Sequence, residues 1–523
     1  MPRSVKARPV LPALLVALAA LLLAGCGGGD DGGNGGSDPA TVAPAEAPVF
    51  IAATIRPEGE TKADIEALAQ KIAGVDDLGE LIVEELEDSA SDSDVGLDFG
   101  EEVEPWLGDE AGIFLQEYEG DDFEGYGVAI QTSDEGATRD FVSKQIESSD
   151  EEEKEGSYDG VDFTTGDDDT TIGVFDGLFV FAENEAIFKE MVDASNGENL
   201  AGEEAYDNAT ASVPDDSAAD VFVDIGALID EAGGEIDSQT QIFLDSLGIE
   251  PDEATAVASV VPGSNQIEID LSTDLSGENP PSGDASELLG TLPGTAVGAL
   301  ASAEFGKRFN EGIDQIDEEG IPGSVPPNQL KKTLKEAGID LEAIAGSIGD
   351  VGLYVTGNSE KTLAGALVLE TEEESEAKNT VANVGLFLRK AGISGVTKLS
   401  GEASGFSIRT PDLGRQPVVV AAKGNRIAIG YGVASVGSAF QESGRALTDN
   451  AAYEDAVSAL GGTPIAAFVN GPSALNLANA LVPSGEEGFE QAKPYLRKIE
   501  YLALGSEASD DLATAKLIVG LKK

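Results

Sequence analysis

The sequence predicts an α+β protein in two tandem homologous units of antiparallel sheet, built of hairpins with paired helices. Three observations predict it. Short apolar strands recur in pairs joined by turn residues, and amphipathic helices fall between the pairs. The same order of landmarks then returns roughly 240 residues later, the spacing expected of an internal duplication.

The first unit, residues 49–275, opens with a strand over 49–55. An amphipathic helix follows, with Ile65, Leu68 and Ile72 on one face and Gly74 as its stop. A second helix is predicted over 78–87. Strands over 113–116 and 127–131 precede a helix that begins near Asp134. Strands over 158–165 and 171–175 come next, and Asp176-Gly177 turns the chain into a strand over 178–182. Asp-Gly between apolar runs marks a two-residue hairpin, because both positions tolerate positive φ. Helices over 185–194 and 203–213 lead to a strand over 219–223. A last hairpin pairs 256–261 with 266–271 through Pro262-Gly263-Ser264-Asn265.

A linker over 276–292, marked by Pro280-Pro281-Ser282-Gly283, leads into the second unit, 293–523. Gly96-Leu97-Asp98-Phe99 is matched there by Gly338-Ile339-Asp340-Leu341, and Leu107-Gly108-Asp109 by Ile348-Gly349-Asp350. Residues 200–228 run without a gap against 447–475, with Tyr206 facing Tyr453. Two separate sheets and one shared sheet both satisfy this pattern.

Ahead of the body lies a leader. Arg3, Lys6 and Arg8 precede the uncharged apolar run 10–23, which is shorter than the ~20 residues of a membrane-spanning helix. Leu23-Ala24-Gly25-Cys26 at its end resembles a bacterial lipoprotein box. The resemblance implies cleavage after Gly25, recognition through Leu23, Ala24 and Gly25, and a lipid on the thiol of Cys26. Cys26 is the only cysteine, so no disulfide framework competes for it. Residues 26–48, rich in Gly and Asp and then in Pro and Ala, read as a disordered tether.

Composition excludes much chemistry. The chain has no histidine, so a Ser-His-Asp triad and a His-ligated zinc site are both impossible. It carries no G-x-S-x-G and no P-loop. No cofactor motif and no metal site is predicted, and no catalytic residue is assigned. Loss of Arg3, Lys6 and Arg8 with the leader takes the formal charge from −67 to −70. Nucleic acid and anionic headgroups are repelled by such a surface.

Several residues invite a functional reading. Trp106, the lone tryptophan, can serve as a ligand platform but reads first as packing. Asp98 and Asp340, like Asp109 and Asp350, suit acid–base work or, more simply, the capping of turns and helix starts. The acidic runs 150–153, 167–169 and 372–374 lack calcium-ligand spacing and read as solvated loops. Gly430-Tyr431-Gly432-Val433-Ala434-Ser435 nearly matches a nucleotide-binding glycine pattern, but Ser435 stands where its last small residue belongs.

The run from Val49 to Gly59, then Val103-Glu104-Pro105-Trp106-Leu107-Gly108, Tyr206-Asp207-Asn208-Ala209 and Val213-Pro214 together resemble an uncharacterised family of bacterial exported and lipid-anchored proteins known as a domain of unknown function. The likeness implies a place in the envelope and brings no activity with it. The sequence thus leads to the expectation of a lipid-anchored binding or scaffolding protein on the extracytoplasmic face of the cell membrane, without enzymatic activity. Its partners would be the membrane, through the lipid, and an apolar ligand or an envelope protein. A carboxylate-dependent, glycosidase-like hydrolase and an acidic spacer without ligand are the alternatives.

Overall fold

The computed structural model describes residues 37–75, 99–119, 122–148, 154–231, 254–274, 283–319, 326–336, 340–410, 416–440, 446–483, 485–509 and 512–523. The leader, Cys26, Asp98, the helix expected over 78–87 and the acidic run 150–153 lie outside the described residues.

The expectation of two tandem α+β units, each of hairpins with paired helices, is corrected. All the strands join one 20-stranded antiparallel sheet, along which the helices are distributed. The physical reason is that hairpin signals specify only which neighbours pair. Each strand still has a second edge of unpaired N–H and C=O groups, and pairing that edge extends the ladder.

By proximity the chain falls into two compact units. The first is Met1–Pro280 with Asp510–Thr514, and the second is Pro281–Ser509 with Ala515–Lys523.

The first unit contains β1 (Val49–Thr54), β2 (Leu107–Glu119), β3 (Asp122–Thr132), β4 (Lys154–Tyr158), β5 (Val161–Thr165), β6 (Thr171–Phe175), β7 (Leu178–Ala182), β8 (Ala219–Asp224), β9 (Thr255–Gly263) and β10 (Gln266–Asp274). Their spatial order is β4-β5-β6-β7-β3-β2-β1-β8-β9-β10, antiparallel throughout. The strand expected over 158–165 is in fact the hairpin β4–β5. It turns at Asp159-Gly160, both at positive φ (45° and 86°), as Asp176-Gly177 does between β6 and β7 (51° and 76°). The helices are α1 (Gly59–Ile72), α2 (Glu135–Ser148), α3 (Glu185–Asn196), α4 (Glu204–Thr210) and α5 (Ile225–Glu231). Asn184 caps α3 by accepting from the N–H groups of Ala186 and Ile187, and the helix buries Phe188, Met191 and Val192. These meet Phe50, Phe114, Val180 and Phe222 on one face of the sheet. The opposite face holds Trp106, Ile130, Phe179 and Phe181 against Phe141 of α2.

The second half of the expected tether is part of this fold. Pro39–Val42 forms a 3-10 turn capped by the Asp38 side chain, and Ala40, Val42 and Ala43 are fully buried in the same core as Phe50. The Ala43 carbonyl accepts from the Leu200 N–H (3.0 Å), and the Pro48 carbonyl from the Asp224 N–H (2.8 Å). The expected boundary at 48 therefore falls inside the folded unit, which takes in residues from Asp38 onward.

The second unit contains β11 (Ala296–Ser302), β12 (Ile348–Thr356), β13 (Ala364–Thr371), β14 (Val396–Lys398), β15 (Ser404–Ile408), β16 (Val418–Lys423), β17 (Arg426–Tyr431), β18 (Ile465–Asn470), β19 (Ile499–Ala508) and, from Ala515 onward, β20 (Leu512–Leu521). They run β14-β15-β16-β17-β13-β12-β11-β18-β19-β20. Its principal helices are α6 (Ser286–Thr291), α7 (Phe305–Glu319), α8 (Glu374–Lys390), α9 (Val433–Ala439), α10 (Ala451–Ala459) and α11 (Gly471–Leu481). On the inner face Leu288, Leu289, Val436 and Tyr453 from α6, α9 and α10 pack on Tyr354, Val368, Phe468 and Tyr501. The outer face carries a smaller core, in which Ala377 and Val381 of α8 cover Val351, Leu369, Val420 and Ile427.

Tyrosine–phenylalanine edge contacts recur, Tyr206 on Phe222 (5.1 Å) and Tyr453 on Phe468 (5.3 Å). The first pair is sixteen residues apart and the second fifteen, so the ungapped pairing of 200–228 with 447–475 slips by one before the strand.

If residues 38–47 are core, a charge inside them is costly. Val42→Asp is expected to lower the unfolding free energy by about 3 kcal/mol or more in urea titrations. Glu46→Lys, on the exposed side of the same segment, is expected to stay within about 0.5 kcal/mol.

Candidate functional site

Two surfaces stand out, an uncharged strip on the second unit and an acidic cluster on the first. The strip follows from the pattern of β11, β12, β13 and β17. In most antiparallel sheets one face is packed and the other polar. Here the outer face is apolar too. Leu300 pairs with Leu353, Leu353 with Leu367, and Leu367 with Ile429, giving one row of large aliphatic side chains across four strands. The next row reads Val469, Gly298, Val355, Gly365, and Tyr431 stands at the end of β17 on the same face. None of these residues is charged, although a quarter of the chain is. Leu300, Leu353, Val355 and Tyr431 remain 45%, 38%, 36% and 42% exposed.

Helices bound this strip without covering it. On one flank α8 packs on β13, β15, β16 and β17. On the other, α11 packs on β11, β18 and β19, and it lies on the outer face because α6 and α10 occupy the inner face of those strands. α7 covers β12 toward its start, where Phe305 and Ile348 join the outer core.

The acidic cluster surrounds β1 of the first unit. Glu110 on β2 lies opposite Thr54, and Asp220 on β8 lies opposite Ala52, so both carboxylates share one face. The Gln131 amide donates to Glu110 Oε2 (3.0 Å) and to the Ser37 carbonyl (3.3 Å), joining the cluster to the N-terminal segment. Burial, then the charges of Asp38 and Asp109, push the Glu110 carboxyl above its usual range although it keeps contact with water. Burial likewise raises Asp220, against the opposing pull of hydrogen bonds from Ser259 and Ser217. Tyr206, edge-on to Phe50 and Phe222, is driven strongly upward by burial and by Asp38, Asp220 and Glu110.

The structure gives each described residue singled out from sequence its own local partners. Trp106 is 3% exposed, its Nε1–H donates to the Glu102 carbonyl (2.7 Å), and Phe141 and Phe179 enclose it, so it packs. The Asp109 carbonyl accepts from the Ile55 N–H (2.7 Å), and its carboxylate is the charge already named beside Glu110. Asp340 caps the helix Leu341–Ala345 and pairs with Lys335 (2.9 Å), which holds its carboxyl below the usual range. Asp350 Oδ1 accepts from the Glu304 N–H (3.2 Å). Asp168 Oδ1 accepts from the Thr170 N–H within the run 167–169, and Glu373 of the run 372–374 forms a capping box with Glu376. Gly432, at φ 90°, is the residue that starts α9. Among the described residues no three acidic or thiol side chains converge as metal ligands. No helix among them is long and apolar enough to cross a membrane.

Sequence reasoning identifies neither surface. The one signal for the strip is the run of β11–β13, where small and large apolar residues alternate and polar ones do not.

Fold and surface define an antiparallel-sheet protein with helices over both faces and one uncharged apolar strip left open. The chain belongs to a family described as a protein of unknown function (DUF3352), whose profile matches residues 10–521. Among curated proteins none matches it.

The raised carboxyl of Glu110 fixes a sign. Folding disfavours its ionised form, so the stability it contributes is present below the ordinary glutamate range and is lost as pH rises through the raised value. Glu110→Gln is therefore expected to raise the melting temperature at pH 7 by about 1–3 °C, with the gain vanishing near pH 4.

Proposed function

We propose that this is a lipid-tethered binding protein of the bacterial cell envelope whose ligand is uncharged and apolar. The single observation that supports the ligand is the open strip of Leu300, Leu353 and Val355, with half-buried Leu367 beside it. Exposed apolar patches on soluble domains mark binding surfaces, and this one lies on a chain whose formal charge of −67 keeps the rest of its surface wetted. Support for the tether comes from the sequence around Cys26, with residues 27–36 as the remaining spacer before the buried segment.

Two measurements test the two halves of this reading. Nile red, an uncharged apolar dye, is expected to brighten and shift to the blue on binding the protein. The double substitution Leu300→Glu, Leu353→Glu should weaken that binding at least about tenfold, since each charge must be desolvated. An unchanged affinity would remove the strip as the site. Separately, Cys26→Ala expressed in the native host should move the protein from the membrane to the soluble fraction, and persistent membrane association would overturn the lipid anchor.

A further inference from the structure

Resting on the reading of an apolar-ligand protein, we infer that the strip takes the acyl chains of a lipid with an uncharged, oxygen-bearing head, and that Tyr431 binds the head. The width fits chains laid on the sheet. The exposed aliphatic side chains stand on β11 and β12 with half-buried Leu367 of β13 beside them, and β11 to β13 is two strand spacings or roughly 10 Å. Gly298 and Gly365 stand on either side of Val355, so the row has low points bounded by Val469, Leu300 and Leu353. Chains seated there meet the aliphatic side chains of Val469, Leu300, Leu353 and Val355.

The head is placed by a polar group at the end of the strip. Tyr431 follows Ile429 on the same face, is 42% exposed, and its hydroxyl accepts from the Gln416 N–H (3.0 Å). Among the described residues that oxygen has no other partner, which leaves its proton to donate to an ester or hydroxyl oxygen. Charge decides against other occupants. A second copy of a chain at −67 and a lipid with an anionic head are both repelled, whereas an uncharged lipid is not.

Dioleoylglycerol, uncharged and bearing ester carbonyls and one hydroxyl, serves as the probe. It is expected to displace Nile red from the full chain, and dioleoylphosphatidylglycerol to do so at least about tenfold less well at low salt. Tyr431→Phe should weaken dioleoylglycerol about fivefold and leave Nile red unchanged, the loss of one hydrogen bond. Gly298→Leu should block both, because a Cβ at Gly298 meets only Val469 Cγ2 at 3.6 Å and the Phe468 carbonyl oxygen at 3.7 Å, so the new side chain fills the low point without forcing the fold. Unfolding curves of both variants should match the parent.

If Nile red binds and dioleoylglycerol fails to displace it, the lipid assignment fails while the apolar site stands. If Nile red does not bind at all, the site itself fails. Equal displacement by both lipids would overturn the charge argument, and equal weakening of both ligands in Tyr431→Phe would overturn the head contact. A dimer in sedimentation that Gly298→Leu dissolves would give the strip to a second copy and overturn the lipid.

Discussion

An antiparallel sheet that is apolar on both faces must be covered on both, and the rest of this structure depends on that constraint. In the first unit Phe50, Phe114 and Phe222 point to one side of the central strands, while Ala111, Val128 and Ile130 point to the other. The second unit does the same with Tyr354, Val368 and Phe468 against Val351, Leu369 and Ile427. At about 25 cal/mol per Å² of apolar area, neither set can be left in water without large loss. Helices therefore approach from both sides, and the chain enters each unit with a buried segment. Pro39–Val42 fills that place before β1, and Ser286–Thr291 before β11. Each is pinned by the same kind of hydrogen bond, from the Leu200 N–H to the Ala43 carbonyl and from the Leu447 N–H to the Leu292 carbonyl.

Acidity is handled by keeping charge out of these layers. Among the described residues, Asp38, Asp340 and Glu373 cap helix starts. The group around β1 departs from this pattern. Placing Glu110 and Asp220 on one sheet face near Asp38 and the buried Tyr206 raises the proton affinity of Glu110, Asp220 and Tyr206, so each favours its neutral form. No positive side chain is among the causes of those shifts. The N-terminal segment consequently docks against a locus whose repulsion grows with pH, held by Gln131 and by burial of Ala40, Val42 and Ala43.

Local structure is legible where the signal is local. Ile65, Leu68 and Ile72 predict a helix, and α1 runs Gly59–Ile72 and stops before Gly74 at φ 80°. Asp176-Gly177 predicts a hairpin correctly, while the same dipeptide at Asp159-Gly160 is hidden because the run around it reads as one continuous strand. Residues 38–47 read as tether on composition, yet proline and alanine are small enough to pack beneath a sheet as tightly as larger side chains do. The merging of the hairpins into a single sheet is not legible at all, because edge pairing is decided between distant strands. Packing at Trp106 and capping at Asp340 follow from general physical preference and need no long-range information.

The openness of the strip follows from where its covering helices are fastened. A Cβ at Gly306 would lie 2.1 and 2.2 Å from the carbonyl oxygens of Ala345 and Ile348, so only glycine lets α7 approach so closely at the start of β12. From Ile348 to Val355 the strand advances roughly 24 Å at 3.4 Å per residue, a distance over which α7, held at one end, leaves the far residues uncovered. α8 is committed to Phe406, Val420 and Ile427 on the other side of β13. Shifting either helix to close the gap would open the core it now fills, at about 2–5 kcal/mol for each large aliphatic side chain left without its packing. A sheet apolar on both faces with its helices so fixed keeps Leu300, Leu353 and Val355 in reach of solvent.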